Sequence, residues 1–214
     1  MDDPHVTDGM GTNLNDILKI IENHRIFRDI REKMMERFWN MFIVDALISN
    51  FDRNNGNWGI LKDSKGNRRI APVYDNGNSF FDKWNDRKFE RREGKGDTEK
   101  VSDFIEKPGI YTNDDGNRIN PYRLILGMEY DECTKAVIRL YPRLRDRKDS
   151  ISELIDSMPT YNDTQKKYIK ESIDIISREV FQKTYVKAKS MGRFESYSME
   201  LLMGRGNGRN LHDR

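Results

Sequence analysis

The stretch Phe38 to Ile48, FWNMFIVDALI, is almost wholly apolar, and the chain then breaks straight into NFDRNNGN. Arg31 to Asn50 opens with alternating charges and continues as this apolar run, so it predicts a helix buried on most of its sides. Such a helix forms the centre of a core. It also makes the next residues hard to explain as a simple surface turn, because Asp52, Asn54, Asn55 and Asn57 follow the most buried part of the chain within a few positions.

The remaining elements arrange themselves around that helix. Leu14, Ile17, Leu18, Ile20 and Ile21 have helical spacing between Asn13 and His24, with Asn13 as N-cap. NWGILKD and RRIAPVY read as two strands about the turn DSKGN, with Ile60 and Leu61 facing Ile70 and Val73. Asp82 to Lys100 is charged, balanced in sign and poor in aliphatics, which predicts an exposed, mobile loop. YTNDDGNRINP is a turn-rich connection. Beyond Pro121 the pattern is helical over Arg123 to Leu140, Ser150 to Met158 and Asp163 to Lys189. The expectation is an α+β chain, mainly helical, with one domain over residues 1–190 and a flexible tail, 191–214, containing GRGNGR.

Composition narrows the function classes. With 38 basic and 36 acidic side chains the formal charge is +2, so no global field points to nucleic acid or anionic lipid. Cys133 is the sole cysteine, which excludes an internal disulfide and any multi-cysteine metal site. No window reaches the roughly 20 apolar residues of a membrane helix, and the start MDDPHVTDGMG has no basic and apolar signal regions. A cytoplasmic protein with no membrane association is expected.

Several chemistries fail on spacing. His5, His24 and His212 show no H-x-x-x-H or H-E-x-x-H pattern. Ser79 in NGNSFF lacks the glycines of a nucleophile elbow. The clusters DRNNGN and NDDGN suggest calcium, but setting Asp115 and Gly116 at the fifth and sixth loop positions puts Tyr111 first and Tyr122 twelfth, where carboxylates are needed.

One ordered set survives: Asp52, then Asn57 five positions on, then the hairpin, then Asp75 in YDNGNSF. Phosphoryl transfer uses this inventory, with one carboxylate accepting the proton of the attacking hydroxyl and an amide oxygen and a second carboxylate holding Mg²⁺ against the nucleotide phosphates. Protein kinases separate base Asp and metal Asn by the same interval and reach the metal Asp through a hairpin. Asp/Asn/Gly clusters that only make turns are the competing reading.

NFDRNNGNWGIL together with APVYDNGNSF resembles the core of the HipA-like serine/threonine kinases, whose blocks read close to N-x-D-R-H-x-x-N and A-P-x-Y-D. The match is strong over Phe38 to Phe81, with Asn54 standing where the family commonly has His. The resemblance implies a protein-kinase-like C-lobe whose small hairpin carries the catalytic and metal loops. Asp52 would be the catalytic base, Asn57 and Asp75 the Mg²⁺ and ATP ligands, and a Ser or Thr hydroxyl of a protein the acceptor. The buried helix would hold the catalytic loop rigid. Phosphatidylinositol kinases share a D-R-H-x-x-N loop, which leaves lipid phosphorylation as an alternative.

A complete kinase also needs a phosphate-covering loop and a strand lysine. Lys19 and Lys33 are the lysines before Asp52 and both fall on predicted helices. The expectation is therefore a C-lobe that works with an N-lobe outside this chain and is weakly active or inactive alone. A non-catalytic, kinase-derived scaffold is the other alternative. Asp82 to Lys100 would take the place of an activation segment, with Thr98 and nearby Ser102 as phosphosites.

Overall fold

The computed structural model describes residues 11–194 and 197. Its centre is α2 (Arg31–Leu47), which buries Met34, Phe38, Trp39, Phe42, Ile43 and Leu47. The preceding α1 (Leu14–Asn23) packs on α2 through Leu14, Ile17 and Ile21, and the Asn13 side chain accepts from the Asp16 N–H at 3.0 Å. Asn113 closes the NDDGN turn through its own side chain, which accepts from Asp115 N and Asn117 N, while Asp114 accepts from the side chains of Asn13 and Asn15. The cluster that suggested calcium is thus a turn that anchors α1.

The hairpin pairs β1 (Ile60–Lys62) with β2 (Arg68–Ile70), antiparallel, in the register Ile60 to Ile70, Leu61 to Arg69 and Lys62 to Arg68. It is shorter than the sequence suggests, and neither Leu61 nor Val73 pairs as expected. One further bond, Ala71 N to Gly59 O at 2.9 Å, extends the ladder. Pro72 then has no N–H to give, so pairing stops there. The turn is built by Asp63, whose carboxylate accepts from Lys65 N and Asn67 N.

Residues 82–105 correct the loop expectation. They form α3 (Asp86–Glu93) and α4 (Asp97–Ile105), joined by a short turn. Asn85 caps α3 by accepting from Lys88 N at 3.1 Å, and both helices pack on α8 (Asp163–Ile176). Phe89 and Phe104, each 1% exposed, meet Tyr168 of α8. One large aromatic per short helix supplies the burial without leaving a periodic pattern in the sequence.

The helix expected over 123–140 is two helices, α5 (Pro121–Gly127) and α6 (Asp131–Asp146), because Met128 takes a left-handed conformation (φ 58°) between them. α6 runs against α2 and carries α9 (Lys183–Ser190) on its other side; α7 (Lys148–Asp156) lies on α8. The long helix expected over 163–189 is present as α8, a π-helical turn Ser177–Gln182 and α9. Asn162 and Gln165 start it with a reciprocal capping box. Most of the proposed tail lies outside the described residues, as do His5 and His212; Phe194 packs edge-on against Tyr185 at 4.9 Å.

Candidate active site

The site begins where α2 ends. Ser49 turns left-handed (φ 54°), and three carbonyls at the end of the helix and its cap find donors: Asp45 O from Asn50 N, Ala46 O from the Tyr122 hydroxyl at 3.0 Å, and Ile48 O from Phe80 N at 2.8 Å. The Phe80 bond matters most, since it ties the segment after the hairpin to the end of the buried helix.

Arg53 lies at the centre of the site and is 1% exposed. Its Nε donates to Asp45 Oδ2 at 2.8 Å and its Nη2 to Asp45 Oδ1 at 3.0 Å, a two-pronged ion pair inside the protein. The other faces of the guanidinium reach across the hairpin. Nη1 donates to the carbonyls of Asn57 (3.2 Å), Tyr74 and Asp75 (3.3 Å), and Nη2 also donates to Asn76 Oδ1. Burial pushes the Asp45 carboxyl up, and the Arg53 charge opposes that push. Asn50 adds a third bond to Asp45 at 2.9 Å. One cation therefore fixes the loop after α2 and the loop after β2 to each other.

The three residues singled out by spacing sit around this hub. Asn57 is buried, and its Nδ2 donates to Asp52 O at 2.9 Å, which leaves its Oδ1 as the acceptor. Asp52 is exposed; its Oδ2 accepts from Asn78 Nδ2, and its own N–H donates to Asn50 Oδ1 at 3.3 Å. Asp75 is exposed and left-handed (φ 56°), its carbonyl held by Arg53 and its carboxylate free of ion pairs among the described residues. Asn54 accepts from Gly56 N at 2.8 Å and so shapes the turn, and the Tyr74 hydroxyl donates to Gly56 O at 2.9 Å. Ser49, Asp75, Phe80 and Phe81 all have positive φ, so four of the five non-glycine residues in that conformation among the described residues flank this site. Strain of this kind persists only where surrounding bonds enforce it.

Asn57 Oδ1 and the Asp75 carboxylate fit a hard cation: both are oxygen donors, one neutral and one charged, on loops locked by the same guanidinium. The described residues contain no group of three His, Cys, Asp or Glu side chains suited to a metal, so an ion here would keep waters or take ligand phosphates. A cleft of about 520 Å³ opens beside the site between α2 and the hairpin, lined by apolar Met41, Val44, Ile70 and Val73 and by polar groups that include Arg53, Asn76 and, on α2, Lys33 and Asn40.

Asp45 was missing from the sequence reading, as were Asn76 and Asn78. A signal for Asp45 existed, since a carboxylate inside the apolar run of α2 requires a partner, and Arg53 is the first cation after it. Nothing comparable marks Asn78.

No protein-family model matches the chain. Among curated proteins it is 30% identical over 182 residues to "Serine/threonine-protein kinase CtkA" of Helicobacter pylori, an alignment that covers 84% of this chain and 54% of that protein. The chain is similar to a protein kinase. The likeness extends to three dimensions: a crystal structure described as a Helicobacter pylori proinflammatory kinase CtkA superposes with a TM-score of 0.78 at 26% identity, over 87% of this chain and 67% of that one. The chain thus spans about half the length of the curated CtkA sequence. The mainly helical fold with its two-stranded hairpin is one that a CtkA kinase also has. No helix among the described residues is long and apolar enough to cross a membrane.

Proposed function

We propose that this chain is the catalytic-loop half of a HipA-like serine/threonine kinase, corresponding to a C-lobe, and that it transfers the terminal phosphate of ATP to a protein hydroxyl. The observation that carries the reading is the Arg53 hub, which holds the Asp52–Asn57 loop and the Asp75 loop together in a chain similar to CtkA. A turn-forming role alone does not call for a buried arginine spanning both loops.

In this reading Asp52 accepts the proton of the attacking hydroxyl. Its carboxylate is exposed to substrate and oriented by Asn78. Asn57 Oδ1 and the Asp75 carboxylate would hold Mg²⁺, which would supply charge neutralisation at the nucleotide phosphates. Asn57 is pre-oriented for this by its bond to Asp52 O, so base and metal ligand are mechanically linked. The Asp45–Arg53 pair keeps both loops from reorganising during the reaction, which is the positioning on which phosphoryl transfer depends.

Lys19 and Lys33 lie on α1 and α2, as expected, so neither is a strand lysine. A phosphate-covering lobe supplied from outside these 214 residues completes the site, seated on the apolar wall formed by Met41, Val44, Ile70 and Val73. Alone, the chain binds Mg²⁺·ATP weakly. Titration calorimetry tests this half of the reading: Mg²⁺ should strengthen ATP binding in the parent chain, and Asp75→Ala or Asn57→Ala should remove that dependence. ATP binding that is indifferent to Mg²⁺, or to both substitutions, favours the non-catalytic scaffold instead.

A further inference from the structure

Trp84 is surrounded by cations. Lys88 Nζ lies 4.3 Å from the centroid of its ring, Lys107 Nζ 4.8 Å and Arg92 Cζ 5.6 Å. Lys88 and Arg92 are one turn apart on α3, whereas Lys107 follows α4 and also stands over Phe81 at 4.8 Å and Phe104 at 5.7 Å. The aromatic floor is tied together by Tyr168, which Phe81 and Phe89 meet edge-on and Trp84 and Phe104 at a tilt.

The segment is balanced in sign overall, but the cations nearest Trp84 are unevenly paired. Asp103 is shared by Arg92 and by Lys95 at 2.8 Å, and Lys95 also holds Glu99 at 3.1 Å. Four cations, Lys88, Arg92, Lys95 and Lys107, thus face two carboxylates. Three other acids nearby are engaged elsewhere, Glu93 by Lys167, Glu106 by Arg123 at 2.6 Å and, on α8, Glu171 by Lys100 at 3.0 Å. Neither Lys88 nor Lys107 has an ion pair among the described residues. Burial, with Arg92 and Lys88 adding to it, pushes the Lys107 amine down to about 8. Lys88 and Lys107, held on aromatic faces with no ion pair of their own, gain strongly when an anion joins them.

The position of this cluster suggests which anion. The segment leading to Trp84 starts at Asn78, bonded to Asp52, and folds through turns closed by Asp82 N to Ser79 O and Trp84 N to Phe81 O. Six residues span at most about 20 Å when extended, and the turns shorten that. An extended substrate at about 3.3 Å per residue covers that span in about six residues or fewer from its acceptor hydroxyl.

We propose that Lys88, Arg92 and Lys107, arrayed around Trp84, form a subsite that selects protein substrates bearing an anionic side chain, phosphoserine or a short acidic run, about three to five residues from the phosphoacceptor. This rests on the kinase reading of the Asp52 site. The two lysines supply unpaired point charges, and Arg92, already held by Asp103, adds to the positive field beside them.

Fluorescence anisotropy on the 214-residue chain tests the subsite without requiring turnover. The probes are labelled peptides with one central serine and, at the third to fifth positions on either side, phosphoserine, paired Glu or paired Gln. The phosphoserine or Glu peptides should bind about tenfold more tightly than the Gln control at low salt. Lys88→Gln and Lys107→Met should each erase most of that preference, and the phosphoserine and Glu arms identify the source of the anion. Equal binding of all three peptides, or a preference that both variants retain, overturns the proposal. Phosphoryl transfer to the same peptides, measured with a complementing N-lobe, separates the two readings. Charge-selective binding without transfer to any peptide sinks the kinase reading and leaves the subsite standing. Transfer that ignores peptide charge does the reverse.

Discussion

Arg53 meets Asp45 in a two-pronged ion pair, Nε to Oδ2 at 2.8 Å and Nη2 to Oδ1 at 3.0 Å, with both side chains almost fully removed from water. The pair joins the last turn of α2 to a loop eight residues on, and the same guanidinium then grips the backbone beyond β2. A charge placed this deep is tolerated only when its partner and its remaining hydrogen bonds are all in place.

Removing one member should therefore be severe. Asp45→Ala leaves Arg53 buried and unpaired and should lower stability by about 3–5 kcal/mol in urea denaturation. Arg53→Lys keeps the charge but loses the fork, so it should also destabilise and uncouple the Asp75 loop, read as faster amide exchange at 74–78. A change below about 0.5 kcal/mol for Asp45→Ala would show that the hub contributes little.

Asn78 reaches the proposed base from the far side of the hairpin. Asn78→Ala should lower kcat about ten- to hundredfold through misplacement of Asp52 while KM for ATP stays within about twofold. An effect on KM alone would place Asn78 in nucleotide binding rather than in orienting the base.

Much of this architecture is legible in sequence where burial is continuous. The apolar run of α2 and the long periodic stretch that becomes α8, the π turn and α9 are read correctly, because each carries many apolar residues at one spacing. α3 and α4 are not, since Phe89 and Phe104 provide nearly all their burial and single residues have no period. The order Asp52, Asn57, Asp75 is visible, yet what fastens those loops is not: Arg53 reaches partners 21 to 23 positions away, a separation no local pattern encodes. Pro72 marks the end of the hairpin in the sequence itself, because it has no N–H for the ladder.

Lys107 should trade stability for its surroundings. Its amine sits near 8 in the folded chain against an ordinary value of 10.5, so the unfolded chain binds the extra proton between those values. Below pH 8 both states are protonated and the penalty of burying the charge is fully present; it fades as pH rises towards 10.5. Lys107→Met should accordingly stabilise the chain by about 1–3 kcal/mol at pH 7, with the gain shrinking by pH 10. A variant that is less stable than the parent at pH 7 would mean that the amine makes a compensating contact.

The central claim is that Asp52 takes the proton from a hydroxyl as it attacks the terminal phosphate of ATP. The most direct measurement is transfer of labelled terminal phosphate from Mg²⁺·ATP to protein serine and threonine, using this chain alone, with a complementing N-lobe, and with Asp52→Asn in both settings. The account predicts little transfer from the chain alone, clear transfer when the lobe is added, and loss of that transfer in Asp52→Asn with Mg²⁺·ATP binding largely kept. Undiminished transfer by the Asp52→Asn protein, or robust transfer by the chain alone, would contradict it.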